Sequence, residues 1–75
     1  MNEPLSRTKF TYKVNGEERT AEKPFSVEDL LTELVGQTRM VAVERNGDVI
    51  PRRLHQTTML REDDRLEVVT IVGGG

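Results

Sequence analysis

The chain ends in the sequence TIVGGG, and this run of glycines raises the question of what chemistry it supports. An α-carboxylate is ionised at neutral pH, because its pKa lies well below 7, and is then a poor electrophile. Adenylation by ATP turns such a group into a mixed anhydride that a sulfur nucleophile attacks. Gly73 and Gly74 have no Cβ, so a tail of this composition can thread into a narrow cleft of another enzyme. The pattern predicts a flexible tail, residues 73–75, with Gly75 as the modified residue; a linker remnant is the alternative.

The other residues that could do chemistry do not form a catalytic set. His55 is the single histidine and stands in a polar stretch, which favours a surface position. Glu62, Asp63 and Asp64 lack the spacing of a calcium-binding loop, so a solvated turn is expected. The chain has no cysteine, which excludes thiol nucleophiles and disulfides. We expect a protein that is acted on by enzymes, with no catalytic residue, no metal and no bound cofactor.

Length and charge narrow the class of protein further. Seventy-five residues predict a single domain over 1–75, with residues 1–8 as a disordered extension. The net charge of −2 gives no basic stripe for nucleic acid and no polybasic membrane anchor. The N-terminus has no apolar stretch typical of a signal peptide, and a small domain without disulfides suits a reducing compartment. A cytoplasmic location is expected.

The elements that would position the tail begin with a hairpin. Residues 9–14 alternate polar and apolar side chains, which predicts a strand with one apolar face. Asn15-Gly16 is a strong turn signal, because both residues tolerate a positive φ. Residues 17–22 are polar and are typical of an edge strand.

One amphipathic helix follows the hairpin. Ser26 caps its start, Asp29 completes a capping box, and Gly36 ends it. The apolar side chains at helical spacing are Val27, Leu30, Leu31, Leu34 and Val35. We expect this stripe to pack across a β-sheet.

The second half of the chain predicts three more strands. Residues 40–44 are rich in β-forming residues, and Asn46-Gly47 turns the chain into a short strand over 48–50. Residues 52–60 have no clear period and are expected to form an irregular loop with three apolar side chains tucked under it: Leu54, Met59 and Leu60. Residues 65–72 form the most apolar strand.

The resulting order, β-β-α-β-β-β, predicts an α+β fold with one helix across a mixed sheet of about five strands. It fits the ubiquitin-like β-grasp, in which the last strand lies centrally beside the first. Alternation along that strand places Leu66 and Val68 toward the helix, and Val69 and Ile71 toward the open face. We expect Val69 and Ile71 to contribute to partner docking; the alternative is that both sets of side chains are partly core.

Two segments resemble a known family. The sequence VAVERNGDVIPR followed by DDRLEVVTIVGGG is similar to the thiamine-biosynthesis sulfur carriers (ThiS), in which a V-N-G-x-x-V/I-P-R-like segment precedes a D-G-D/D-x-I-E-I-V strand and terminal glycines. The helix SVEDLLTEL resembles that family's helix, and length and element order agree. The chain departs from the family pattern at Glu62-Asp63-Asp64, where Asp-Gly-Asp is common.

The resemblance implies a function and a set of partners. An E1-like adenylyltransferase (ThiF-type) would consume ATP to adenylate Gly75, and a sulfur donor such as a cysteine desulfurase would supply sulfur for a thiocarboxylate. A thiazole synthase (ThiG-type) would receive the sulfur. The alternatives are a MoaD-like small subunit of molybdopterin synthase, a ubiquitin-like modifier, and a β-grasp interaction module with no tail chemistry.

Overall fold

The computed structural model describes residues 9–36 and 41–70. The strands are β1 (Phe10–Val14), β2 (Glu17–Ala21), β3 (Val41–Arg45), β4 (Asp48–Val49) and β5 (Arg65–Thr70). Helix α1 spans Val27–Val35, and a 3-10 turn spans Arg52–Leu54. The predicted extension over 1–8, Ile71 and the glycines 73–75 lie outside the described residues.

The five strands form one mixed sheet in the order β2-β1-β5-β3-β4. β1 pairs with β5 in parallel, and the other pairs are antiparallel. The last strand is therefore central and β2 is an edge strand, as predicted. With one helix packed on one face of the sheet, this is the ubiquitin-like β-grasp.

Both predicted hairpin turns are present. Asn15 and Gly16 have φ of 50° and 87°, and Asn46 and Gly47 have φ of 52° and 92°. Two successive left-handed residues match the twist of the flanking strands, which is why Asn-Gly is favoured at these positions.

The predicted capping box holds the start of α1. The Asp29 amide donates to Ser26 Oγ at 3.0 Å, and the Ser26 amide donates to Asp29 Oδ2 at 2.9 Å. Gly36 ends the helix with φ of 81°, and its amide donates to the Thr32 carbonyl at 3.0 Å. Each end of the helix is therefore fixed by a local signal.

Three of the five apolar side chains of the predicted helix stripe are buried, and Val35 is half-buried. The core consists of side chains from the sheet, the helix and the adjoining loops: Tyr12, Val14, Ala21, Phe25, Val27, Leu30, Leu31, Val43, Leu60 and Leu66. Leu34, predicted to belong to the same face, is 39% exposed. That part of the prediction is wrong, since spacing gives a helix face but not how far the sheet extends beneath it.

The loop over 52–60 is only partly tucked under. Leu60 is buried and its amide donates to the Phe25 carbonyl, but Leu54 and Met59 are exposed, contrary to the prediction. The loop is tied to the start of α1 by its backbone, because the Val27 amide donates to the Thr58 carbonyl. Buried Leu60 and these backbone bonds therefore hold the loop, while Leu54 and Met59 face solvent.

Candidate functional site

The central strand β5 is held differently along its two halves. On the β1 side, pairing covers only Lys13 with Arg65 and Val14 with Leu66. On the β3 side, pairing runs on to the last described residue, where Thr70 lies opposite Val41. The half of β5 nearest the tail therefore has a strand neighbour on one side only.

At Val68, the side chain of Asn15 forms the hydrogen bonds that a β1 residue would otherwise form. The Val68 amide donates to Asn15 Oδ1 at 2.8 Å, and Asn15 Nδ2 donates to the Val68 carbonyl at 3.1 Å. The Asn15 amide also donates to the Leu66 carbonyl at 2.8 Å. One asparagine thus turns the hairpin and fixes β5 two residues before the end of the described strand. Sequence analysis assigned Asn15 only to the turn; no local signal reveals a contact with a strand more than fifty residues away.

The face of the sheet away from α1 carries Val69. Its side chain is 57% exposed, whereas Leu66 on the opposite face is buried in the core. The predicted outward orientation of Val69 is confirmed, because alternate residues of a strand point to opposite faces. Ala42 is its cross-strand partner on β3, and exposed Val49 of β4 lies on the same face opposite Glu44. The part assigned to Ile71 stays a prediction.

The start of β5 is anchored by a carboxylate predicted to be solvated. Asp64 is only 5% exposed. Its Oδ2 accepts from Arg45 Nε at 3.1 Å and from the Arg61 amide at 2.8 Å, and its Oδ1 accepts from Asn46 Nδ2 at 3.1 Å. The prediction of a solvated turn is wrong for Asp64, because two of its three polar partners, Arg45 and Asn46, come from a distant segment at the end of β3. Asp64 is a structural residue that ties that segment to β5.

The rest of the acidic turn behaves as expected. Glu62 and Asp63 are exposed. Asp63 has φ of 68°, a left-handed conformation that glycine adopts more easily. Glycine is common at this position in the family that the sequence resembles, so the backbone here has the conformation that such a glycine permits.

His55 is buried, which corrects the predicted surface position. Its side chain is packed under the loop, with only 3% of the residue exposed, and Nε2 lies 3.0 Å from the Ile50 carbonyl oxygen. Its own carbonyl accepts from the Glu28 amide near the start of α1. The ring therefore helps to join the loop to the sheet, and its contacts are those of a structural histidine.

The described residues contain no group of three or more side chains suited to bind a metal ion. Within the same residues, no helix has the length and apolar character needed to cross a membrane. The described residues form a small domain whose central strand β5 ends at Thr70, three positions before the first terminal glycine in the sequence, with exposed Val69 beside that end. This is the layout of a β-grasp carrier, in which the folded part presents the end of the chain.

Comparison with known proteins agrees with that class. The model of the ThiS family matches residues 12–75, which is most of the chain. The chain belongs to the ThiS family, the small sulfur carriers of thiamine biosynthesis. This assignment favours the thiamine carrier over the MoaD-like alternative.

Curated relatives fall into two groups. The chain is 41% identical over 71 residues to the uncharacterized protein ycf40 of Pyropia yezoensis, a match covering 95% of this chain and 100% of that protein. It is 42% identical over 62 residues to a thiazole synthase of Paramagnetospirillum magneticum, covering 83% of this chain but 19% of that protein. A thiazole synthase of Magnetococcus marinus gives a similar match, at 44% identity over 62 residues and again 19% of its length. The chain thus spans about a fifth of these two synthases.

A solved structure shows the same fold. The crystal structure of the thiamine biosynthesis protein ThiS from Geobacter metallireducens superposes with a TM-score of 0.73 at 33% identity, covering 88% of this chain and 100% of that one. The solution structure of a thiamine biosynthesis protein from the same organism gives a TM-score of 0.70. Together with the family match, these establish the fold.

Proposed function

We propose that this protein carries sulfur on the carboxyl group of Gly75. An oxygen of that carboxylate attacks the α-phosphorus of ATP in a ThiF-type enzyme and displaces pyrophosphate. The outer sulfur of a persulfide, supplied from cysteine through a desulfurase, then attacks the acyl carbon and AMP leaves. A thiol cleaves the acyl disulfide so formed, joins the inner sulfur in a new disulfide and leaves the outer sulfur on Gly75. The resulting thiocarboxylate delivers its sulfur to a ThiG-type thiazole synthase, which forms the thiazole ring of thiamine.

The placement of β5 is the observation that carries this proposal. β5 is the central strand, its last described residue Thr70 is still paired with Val41, and the sequence continues for five residues to Gly75. Five extended residues reach at most about 16–18 Å, so the reactive group would stand just outside the folded body. A short glycine tail that follows a paired strand would suit a carboxylate that must enter another protein's site.

The proposal gives the chain no catalytic role and no bound cofactor. ATP is consumed by the activating enzyme, and the protein contributes the acceptor carboxylate. Val69 and, by alternation, Ile71 would lie on the surface that docks the partner enzymes. Exposed apolar side chains on an open sheet face are typical of such contacts. We propose the cytoplasm as the site of these reactions. It is a reducing compartment in which proteins seldom contain disulfides, and this chain has no cysteine that could form one.

The relatives support thiazole synthase as the recipient of sulfur. Two proteins named thiazole synthase contain a segment similar to this chain. A carrier-like segment and a synthase within a single protein indicate that the two parts act on the same reaction. The adenylating enzyme and the desulfurase are inferred from the chemistry of the tail.

The test depends on the reach of the tail. A chain ending at Gly75 is compared with one that has an additional residue after Gly75, and with Gly74→Val. One added residue moves the carboxylate by about 3.3–3.6 Å, and a valine places a Cβ in a cleft shaped for glycine. Near-attack geometry tolerates little displacement, so both variants should lose ATP–pyrophosphate exchange with the activating enzyme. Neither should gain the mass of one sulfur-for-oxygen replacement when the sulfur donor is added.

The control is folding, since thermal unfolding of both variants should match that of the original chain. If the extended chain is adenylated as fast as the original, Gly75 is not the substrate. The protein would then be a β-grasp interaction module.

A further inference from the structure

The open face of the sheet has an uneven distribution of charge around Val69. Glu44 of β3 lies directly opposite Glu67 of β5, and the next cross-strand pair toward the tail on this face is Ala42 with Val69. Val49 of β4 lies opposite Glu44. We refer to these five residues as the acid-flanked patch: Ala42, Glu44, Val49, Glu67 and Val69.

Among residues 9–36 and 41–70, neither Glu44 nor Glu67 forms an ion pair. The ion pairs within the described residues are Arg19 with Glu33 and Arg45 with Asp64, and neither involves the patch. Both patch glutamates are exposed. Like charges directly opposite each other on antiparallel strands destabilise a sheet. Repulsion between Glu44 and Glu67 therefore lowers the stability of the sheet, and no ion pair within the described residues compensates for it.

The cations of the same face stand in a separate row. Lys13 of β1 lies beside Arg65 of β5, one same-face position before Glu67 and farther from the tail. On β1, β5 and β3 the open face thus has two cations, then the two glutamates, then an apolar end beside Thr70; on the edge strand, exposed Glu18 lies opposite Lys13. Such an order fixes the direction in which a complementary surface can dock.

We propose that the acid-flanked patch docks on a thiazole synthase whose surface has an apolar hollow for Val69 and an arginine facing Glu44 and Glu67. This inference rests on the proposed function and adds the chemistry of recognition. Directly opposite side chains have Cβ atoms about 4.5–5.5 Å apart, a spacing that a planar guanidinium with its several N–H groups can bridge. Thiazole synthase is the occupant because two such enzymes contain a segment similar to this chain. The patch also lies on the half of β5 nearest the tail, so docking there brings the chain end to the enzyme.

The test reverses each charge in the full chain. Glu44→Lys and Glu67→Lys are compared with Glu17→Lys, which makes the same change in net charge at an exposed residue of the edge strand. Glu17 lies opposite core residue Val14 and so is on the helix side of the sheet. Binding to the thiazole synthase of the same organism is measured by calorimetry at low and high salt.

Each patch reversal should weaken binding about tenfold or more at low salt, and the loss should shrink at high salt as the charges are screened. Glu17→Lys should change the dissociation constant less than about twofold, since it lies off the docking face. Thermal midpoints of the patch variants should be equal to or above that of the original chain, because the repulsion between the glutamates is removed. If a lysine variant fails to fold, Glu44→Gln and Glu67→Gln are measured instead and should weaken binding in the same direction.

Three results would overturn the inference. Patch reversals that weaken binding no more than Glu17→Lys would show that the glutamates are not recognised. Tighter binding would show that the partner surface is acidic. If the patch reversals leave binding to the thiazole synthase unchanged but weaken binding to the activating enzyme in the same calorimetric assay, the occupant is wrong. None of these results removes the thiocarboxylate on Gly75, which mass spectrometry of the natural protein detects separately, so failure of the docking inference and failure of the carrier function are distinguishable.

Discussion

Replacing Asp64 by alanine tests whether a buried carboxylate fixes the start of the central strand. The change removes three hydrogen bonds, from Arg45 Nε, Asn46 Nδ2 and the Arg61 amide. It also leaves Arg45 without its partner, although that side chain is 23% exposed and can reach water. The turn between β3 and β4 would keep one side-chain bond to β5, because Asn46 Oδ1 still accepts from the Arg65 amide at 2.9 Å.

The expected loss in the free energy of unfolding follows from the burial of the Asp64–Arg45 ion pair. Breaking a buried ion pair typically costs about 3–5 kcal/mol, and partial access of Arg45 to water places the expected loss near about 3 kcal/mol. For a domain of this size that corresponds to a fall in thermal midpoint of about 12–24 °C. Asp64→Asn keeps one acceptor oxygen but turns an amide donor toward other donors, so about 1–2 kcal/mol is expected.

The assay is urea unfolding followed by circular dichroism, with Glu62→Ala as the matched control. Glu62 is a carboxylate in the same turn, but it is exposed and accepts a single bond, from the Thr11 amide at 3.1 Å. Its removal should cost about 1 kcal/mol or less. An equal loss for Asp64→Ala and Glu62→Ala would refute the reasoning. The double variant with Arg45→Met should show a coupling of about 0.5–3 kcal/mol, as expected for residues in contact.

Three further predictions concern the helix, the acidic turn and the open face. Leu30→Ala should cost about 2–5 kcal/mol in denaturant unfolding, and Leu34→Ala on the same helix only about 1 kcal/mol because it opens no enclosed cavity; similar losses would contradict the packing described. Asp63→Gly should raise stability by up to about 1 kcal/mol, because glycine adopts the left-handed conformation without strain, and a lower midpoint would count against this account. Val69→Lys should leave the thermal midpoint nearly unchanged and weaken binding to the partner enzymes; unfolding of this variant would place Val69 in the core.

Several features of the fold are determined by residues close together in the chain. The two Asn-Gly pairs turn both hairpins, because each turn needs two residues that accept a positive φ. Ser26, Asp29 and Gly36 set the ends of α1 through bonds to backbone atoms within four residues. The outward orientation of Val69 follows from simple alternation along a strand. Signals of this kind are read correctly from the sequence, since the interacting groups are neighbours in it.

Other features depend on contacts between segments that are far apart in the sequence. His55 and Asp64 look like surface residues in their polar surroundings, yet both are buried. Asp64 binds Arg45, 19 positions away, and the His55 carbonyl accepts from the Glu28 amide near the start of α1. Leu34 follows the helical spacing of the core but is 39% exposed. Asn15 completes the pairing of β5 at Val68, a residue 53 positions away. Burial and hydrogen bonding depend on which segments become neighbours in space, and local sequence patterns do not contain that information.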